Sequence, residues 1–202
     1  MTQHPAGRIG PNAIIQTVTA LRERRGAEAE ELLVTWGRGD LLTRLPDAMV
    51  EEREVSHLCA RVIEGLGPNE GLAVLERSGA LTAEYLLANR IPWIARVVLP
   101  LLPDRLALRA LFRAIGAHAW TFAGTGAFAA DAALPGFSID RCPICRELGA
   151  ATRPMCGYYR ATFEGLLRRL VNPSAVVVET ECRAAGGQTC RFEVRLGERG
   201  EP

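Results

Sequence analysis

Five of the six cysteines fall in the last third of the chain, where together they are able to bind a metal ion. Cys142 and Cys145 form a C-x-x-C, Cys156 precedes an amphipathic stretch, and Cys182 and Cys190 flank a Gly-Gly pair. Thiolates around a tetrahedral ion suit Zn²⁺, so this group predicts one structural zinc. The closely spaced cysteine runs of ferredoxins are absent, which argues against an iron–sulfur cluster.

Each cysteine also has a simpler interpretation as a small buried side chain, because free cysteines are often buried. We take that interpretation for Cys59, which stands alone on a helical apolar stripe. We favour metal binding for Cys182 and Cys190. For Cys142 and Cys145 both interpretations stay open, and no thioredoxin-like βαβ pattern surrounds them to indicate a redox pair.

The elements that position these cysteines follow from hydrophobic periodicity. Helical spacing extends to about residue 117, with one helix ending at Gly67-Pro68, another beginning at the capping residue Thr82, and a further one over 106–117. From Ala119 the pattern becomes strand-like. It predicts strands at 120–122, 137–139, 176–178 and 190–194, a helix over 156–171 that Pro173 ends, and a turn at 186–187.

This order predicts an α+β fold, with an antiparallel four-stranded sheet and helices packed on one of its faces. We expect residues 1–202 to form one domain, in which 1–50 are a helical N-terminal extension and 119–195 carry the sheet, the long helix and the metal site. Cys156 begins the long helix, where free N–H groups and the helix dipole favour a thiolate. The closing hairpin brings Cys182 and Cys190 close together.

Composition narrows the classes of function. Net charge is +1, and no basic stripe interleaved with aromatic residues indicates nucleic-acid binding. Residues 1–5 do not begin a signal peptide. The most apolar stretch, 91–112, contains arginines and prolines and is not a spanning helix, although it can lie against a membrane surface or an apolar partner. We therefore expect a cytoplasmic protein with reduced thiols.

The segment from Glu179 to Phe192 (ETECRAAGGQTCRF) resembles the C-terminal signature of the 4-vinyl reductase domain. That domain also occurs in aromatic-sensing transcriptional regulators and is similar to trafficking-particle subunits. In the sensors, zinc is held by a Cys at the start of the long helix, a Glu, and two further Cys. The resemblance implies that the ligands here are Cys156, Glu179, Cys182 and Cys190.

One condition applies to Glu179. In an unbroken strand, Glu179 and Cys182 point to opposite faces. The strand must therefore end or bulge between them for both to bind one ion. Otherwise Cys142 or Cys145 takes the place of Glu179.

Further segments resemble the bacteriochlorophyll-biosynthesis branch of the 4-vinyl reductase family: RIGPNAI at 8–14, YLLANRIP at 85–92, AHAWTFAG at 117–124 and YYRATFE at 158–164. This resemblance implies a photosynthetic bacterium, a chlorophyll-precursor ligand and a homodimer. The family name implies reduction of the vinyl group of a divinyl chlorophyllide or protochlorophyllide.

Reduction of a vinyl group needs a source of hydride or electrons. No G-x-G-x-x-G follows a predicted strand, and Gly124-Thr125-Gly126 is better explained as a bend. We therefore favour a protein that binds the tetrapyrrole and delivers it to a pathway enzyme. The alternatives are the vinyl reductase itself, using a diffusible reductant or a partner, and a pure interaction module.

A planar tetrapyrrole requires a wide apolar slot with a few polar anchors. His118 is a candidate axial ligand of Mg²⁺, or alternatively a hydrogen-bonded core residue. Arg90 and Arg96 are candidates for pairing with a propionate carboxylate, or are ordinary surface arginines. The candidate apolar and aromatic wall consists of Trp93, Trp120, Phe122, Phe128, Tyr158 and Tyr159.

Overall fold

The computed structural model describes residues 7–131 and 135–198, which leaves residues 1–5 of the sequence argument outside the described ranges. The first half is helical, as its periodicity predicts. It comprises α1 (Asn12–Arg25), α2 (Glu28–Thr35), α3 (Asp40–Thr43) and the long α4 (Glu52–Asn89). Two short strands, β1 (Arg8–Ile9) and β2 (Val50–Glu51), pair antiparallel beside the start of α4.

Helix α4 contains the predicted break and corrects one predicted start. Gly67 has φ 78° and ψ 164°, so the backbone leaves the helical conformation there and resumes it at Pro68. Thr82 does not begin a helix. It lies inside α4, where its hydroxyl donates to the carbonyl oxygen of Ser78, one turn earlier.

The next segment contains α5 (Trp93–Val98), a 3-10 turn (Leu99–Leu101), α6 (Asp104–Ala117) and the single turn α7 (Trp120–Ala123). The strand predicted at 120–122 is therefore wrong. Three bulky residues with high β-propensity suggested it, but the backbone N–H of Ala123 donates to Ala119 O at 2.7 Å and closes a helical turn. The first strand of the large sheet instead follows at β3 (Ala127–Ala130).

The large sheet confirms the predicted α+β class with four antiparallel strands. Its other strands are β4 (Gly136–Asp140), β5 (Val176–Glu181) and β6 (Cys190–Arg195), and the spatial order is β3-β4-β6-β5. Helix α8 (Gly157–Leu170) connects β4 to β5, and a 3-10 turn (Arg183–Ala185) lies in the β5–β6 connection. Side chains of β6 alternate between buried and outward, so one face of this sheet covers the core.

Helix α8 packs between the sheet and α4. On the sheet side, the ring of Phe163 stacks on Phe137 at 3.9 Å between centroids, and Phe137 stacks on Phe192 at 4.6 Å. On the other side, Gly79 of α4 allows the backbone of Tyr158 to approach so closely that a Cβ there would lie 2.1 Å from the Tyr158 carbonyl oxygen. The start of α8, which carries Cys156, is thus fixed from two directions.

Among the helices of the described ranges, none combines the length and the apolar character that crossing a bilayer requires.

Candidate metal centre

Six metal-ligating side chains converge where the start of α8 meets the ends of β5 and β6. They form two groups of four, and in each group the donor atoms all lie within 4.8 Å of one another. Both groups contain Cys156 and Cys190. One is completed by Glu179 and Cys182, and the other by Cys142 and Cys145.

Cys156 is the N-cap residue of α8, as the sequence predicts. Its backbone N–H donates to Glu179 Oε2 at 2.8 Å, which ties the start of the helix to β5. The positive end of the helix dipole at this position favours a thiolate and a carboxylate. Chain geometry thus brings Cys156 and Glu179 together before any ion is considered.

A β-bulge satisfies the condition on Glu179. Glu179 pairs with Phe192 and Glu181 pairs with Arg191, so Thr180 is the extra residue of the bulged strand. The bulge reverses the alternation of side chains beyond Thr180. Glu179 and Cys182 therefore face the same side, where Cys190 is fully buried.

The C-x-x-C lies in the loop between β4 and α8 and is held by the start of α4. Ser56 donates from its hydroxyl to the carbonyl oxygen of Pro143 at 2.6 Å. Arg146 forms an ion pair with the buried carboxylate of Glu52, which also accepts from the backbone N–H of Thr125 at 2.8 Å. Sequence reasoning missed Glu52 and Ser56, because an acidic residue and a serine in an otherwise polar run give no signal of a tertiary contact.

The spacing of the sulfurs fits a tetrahedral thiolate site. Cys156 Sγ lies 3.4 Å from Cys142 Sγ and 3.4 Å from Cys190 Sγ, and Cys145 Sγ lies 3.4 Å from Cys190 Sγ. With Zn–S bonds of about 2.3 Å, sulfurs of one tetrahedron are about 3.8 Å apart. All six cysteines are buried free thiols.

Glu179 gives a further indication of a missing cation. Its Oε1 is buried and has no hydrogen-bond partner among the described residues. A buried polar atom of this kind costs about 1–3 kcal/mol unless something binds it. Three thiols and one unpaired carboxylate oxygen form a donor set that suits Zn²⁺, so the residues fit the ion that the sequence predicts.

The environment shifts the pKa values of these ligands strongly. Burial, together with the nearby Cys182 thiol, raises the pKa of the Glu179 carboxyl to about 9. Contact with Cys145 raises the pKa of the Cys182 thiol, but contacts with Cys156 and Cys190 outweigh it and lower this pKa to about 6. Because a divalent cation favours the deprotonated form of every ligand, metal binding here must release protons.

The residues of the predicted pigment pocket do not line one cavity. Tyr158 and Tyr159 are buried in the core, where the Tyr159 hydroxyl donates to the carbonyl oxygen of Phe122 at 2.7 Å. Phe122 and Phe128 belong to the aromatic cluster between α6, the sheet and α8, with their rings 5.9 Å apart. Trp120 is half-buried on α7.

His118, Arg90 and Trp93 lie at the surface instead. His118 follows the end of α6, and its Nδ1 lies 2.9 Å from Ala114 O. Arg90 follows α4, with its guanidinium 6.0 Å from the centre of the Tyr85 ring. Trp93 begins an exposed run that we call the apolar strip, which consists of Trp93, Ile94, Val97, Val98, Leu101 and Leu106.

Two concavities border the metal centre. The smaller, of about 130 Å³, lies against Cys142 and Cys145 and is flanked by Arg141, Arg146 and Arg183. The larger, of about 340 Å³, lies between the start of α8 and β5. Its lining comprises Leu72, Glu76, Pro154, Gly157, Arg160, Val176, Val177, Val178 and Glu179, and so includes no residue of the predicted pigment pocket.

Comparisons with known proteins agree with this geometry. Residues 135–196, which include all six candidate ligands, match the family model of the 4-vinyl reductase domain. The chain is 38% identical over 190 residues to the bacteriochlorophyll synthase 23 kDa chain of Cereibacter sphaeroides, covering 94% of this chain and 91% of that protein. It is also 38% identical over 191 residues to the protein of the same name from Rhodobacter capsulatus, covering 92% of this chain and 85% of that protein.

Proposed function

The chain belongs to the family of the bacteriochlorophyll synthase 23 kDa chains, and from this premise we propose that it binds a divinyl chlorophyllide-type or protochlorophyllide-type tetrapyrrole and delivers it to a pathway enzyme. The family places it in bacteriochlorophyll biosynthesis. The relatives are named as chains of a synthase, which supports assembly with an enzyme of the pathway. A homodimer in the cytoplasm completes the proposal.

The apolar strip is the observation that carries this function. Trp93 is 66% exposed and Leu101 is 78% exposed, and the four other members are about half exposed. Large exposed apolar patches are uncommon on monomeric proteins and mark sites where an apolar surface binds. A tetrapyrrole macrocycle offers such a surface, and an indole ring is well suited to stack on it.

Arginines beside the strip supply the polar anchor that an acidic pigment needs. Arg96 lies within α5, and its Nε is buried with no hydrogen-bond acceptor among the described residues. An unpaired guanidinium donor is an energetic liability that a carboxylate relieves. We therefore place the propionate of the pigment at Arg96, with Arg90 nearby in sequence.

His118 is the proposed axial ligand of the pigment's Mg²⁺. A carbonyl oxygen only accepts hydrogen bonds, so Nδ1 of His118 must carry the proton that bonds Ala114 O. In the neutral ring this leaves the lone pair on Nε2, the atom that a metal needs. His118 is exposed, so a pigment can reach it without opening the core.

The proposed zinc has a structural role, with Cys156, Glu179, Cys182 and Cys190 as ligands. It ties the start of α8 to the closing hairpin, two elements that otherwise share packing and one hydrogen bond from Cys156. Four protein ligands leave no open position, so no hydrolytic chemistry is expected from it.

Tryptophan fluorescence tests pigment binding directly. Titration with a Mg-divinyl protochlorophyllide should quench the emission of exposed Trp93 and shift the pigment's absorption at micromolar concentrations. Trp93→Ala and Leu101→Ser should each weaken binding about tenfold, the scale of one lost aromatic or apolar contact. Val34→Ser is the matched control, because Val34 is 59% exposed on α2, away from the strip. Equal binding by all four proteins would overturn the assignment to the strip.

The reductase alternative is tested with the same protein. We expect no reduction of the bound divinyl pigment when NADPH or NADH is added to the isolated chain, because delivery requires no redox step. Steady formation of the ethyl product would replace the carrier function with the reductase function. An absence of any pigment binding would leave the interaction module.

A further inference from the structure

The two ligand groups of the metal centre share an edge. We propose that this centre holds two metal ions, with the thiolates of Cys156 and Cys190 bridging them. The first ion is the zinc proposed above. The second is bound by Cys142, Cys145, Cys156 and Cys190, so this inference extends the proposed zinc site and is independent of pigment binding.

Geometry supports the second position as well as the first. The shared edge, Cys156 Sγ to Cys190 Sγ, is 3.4 Å, and each sulfur of the C-x-x-C lies 3.4 Å from one end of that edge. All four sulfurs lie within 4.8 Å of one another, the same limit that the Glu179-containing group meets. A tetrahedral ion with sulfurs about 3.8 Å apart needs adjustments of only some tenths of an ångström.

The C-x-x-C loop is positioned by contacts that do not involve the first ion. Pro143, between the two cysteines, accepts the hydrogen bond from Ser56, and Arg146, directly after Cys145, pairs with Glu52. Both anchors belong to α4 rather than to the hairpin. Ligands held in place by their surroundings lose little entropy on binding a metal, so the second position is preorganised.

Charge balance also favours a pair. Five thiolates and one carboxylate carry six negative charges when all six donors bind metal. One divalent ion would neutralise two of them, and the two leftover thiols of the C-x-x-C would remain protonated beside it. Two ions neutralise four, and the three arginines that flank the concavity at Cys142 and Cys145 face the remainder. The soft, all-sulfur second set suits Zn²⁺ or another thiophilic ion.

Metal counting on the full chain tests the pair. Native mass spectrometry and elemental analysis of protein loaded with Zn²⁺ should give two ions per chain. Cys142→Ser and Cys145→Ser should each retain one ion, and Cys156→Ser should retain less than one. Cys59→Ala, which removes a buried thiol outside both groups, should retain two. Because the wild-type count alone decides the number, the test does not depend on the folding of any variant.

Cobalt distinguishes a bridged pair from two separate sites. Thiolate bridges couple the spins of two Co²⁺ ions, so the paramagnetic resonance signal of the doubly loaded protein should fall below that of the singly loaded protein. A wild-type count of one, unchanged in Cys142→Ser, would overturn the second ion and leave the first. A count of zero would overturn both ions, and uncoupled cobalt spins at a count of two would overturn the bridge.

Discussion

Glu52, at the start of α4, pairs through its buried carboxylate with Arg146, the residue that follows Cys145. The contact joins residues 94 positions apart in the chain. It fixes the C-x-x-C loop on the helical half of the protein, whereas the other candidate ligands belong to α8 and the hairpin. The metal centre therefore lies at a junction of the two halves of the fold.

Replacement of Glu52 should destabilise the protein. Glu52→Gln leaves Arg146 without its charged partner, and we expect the free energy of unfolding at pH 7 to fall by about 2 kcal/mol. This is less than for a fully buried pair, because the Arg146 side chain is 30% exposed. Urea denaturation measures the change. Glu51→Gln, at an exposed neighbouring position, should change it by less than about 0.5 kcal/mol.

The same variant gives the pH dependence of this contact. Burial raises the pKa of the Glu52 carboxyl, but hydrogen bonds from Thr125 and Arg146 outweigh it and lower the pKa below its ordinary value of 4.5. The stabilisation is thus complete above pH 4.5 and is lost as the pH falls through the folded pKa. The difference between wild type and Glu52→Gln should shrink below that pH, and a constant difference would contradict the ionic role.

Removal of zinc should unfold the hairpin region. Structural zinc contributes on the order of 10 kcal/mol, comparable to the whole net stability of a domain. Addition of a chelator should therefore lower the melting temperature sharply and accelerate amide exchange in β5, β6 and the start of α8 before α1 is affected. Circular dichroism and hydrogen exchange follow the two effects. Unchanged melting in excess chelator, with metal shown to be lost, would rule out a structural role.

Gly79 should tolerate no side chain. In Gly79→Ala the new Cβ would lie 2.1 Å from the Tyr158 carbonyl oxygen, so α4 and α8 must separate. We expect a loss of about 2 kcal/mol, after the gain of about 1 kcal/mol in helix propensity is included. Gly116→Ala is the control, since the nearest atom to its Cβ is 3.7 Å away. Thermal denaturation of the two variants should show opposite or clearly unequal shifts.

His118→Ala should weaken binding of Mg-bearing pigment about tenfold or more and leave Mg-free pigment nearly unaffected, because only the metal needs the imidazole lone pair. Absorption titrations with the two pigments provide the comparison. His57→Ala serves as the control, because His57 is exposed on α4, where its ring lies near Glu147. Equal weakening with both pigments would assign His118 a structural role.

Sequence reasoning succeeded where local signals are strong and agree. The β-branched run before Glu179, the Gly-Gly turn and Pro173 all favour the observed hairpin and the end of α8. Cys156 was predicted at the start of α8, and it is the N-cap residue. These elements require little tertiary information, because propensity and periodicity already specify them.

Predictions failed where packing overrides propensity. The turn at Trp120–Ala123 has the composition of a strand, yet the Phe122 ring packs 6.1 Å from the rings of Tyr159 and Phe163, and this contact favours the helical turn. Thr82 resembles a capping residue, but in the interior of α4 its hydroxyl donates to Ser78 O. The choice between Glu179 and the C-x-x-C stayed open because it depended on a bulge and on long-range contacts that have no signature in sequence.

The bulge at Thr180 determines how the length of this segment can vary among relatives. On a regular strand, E-x-C would place both donors on one face, and Thr180 is the added residue that makes the motif E-x-x-C. A relative that lost one residue here would keep both donors by losing the bulge. A relative that gained one would turn its glutamate away and would have to draw the donor from the C-x-x-C. Single insertions, more than substitutions, are therefore the changes that this segment should resist.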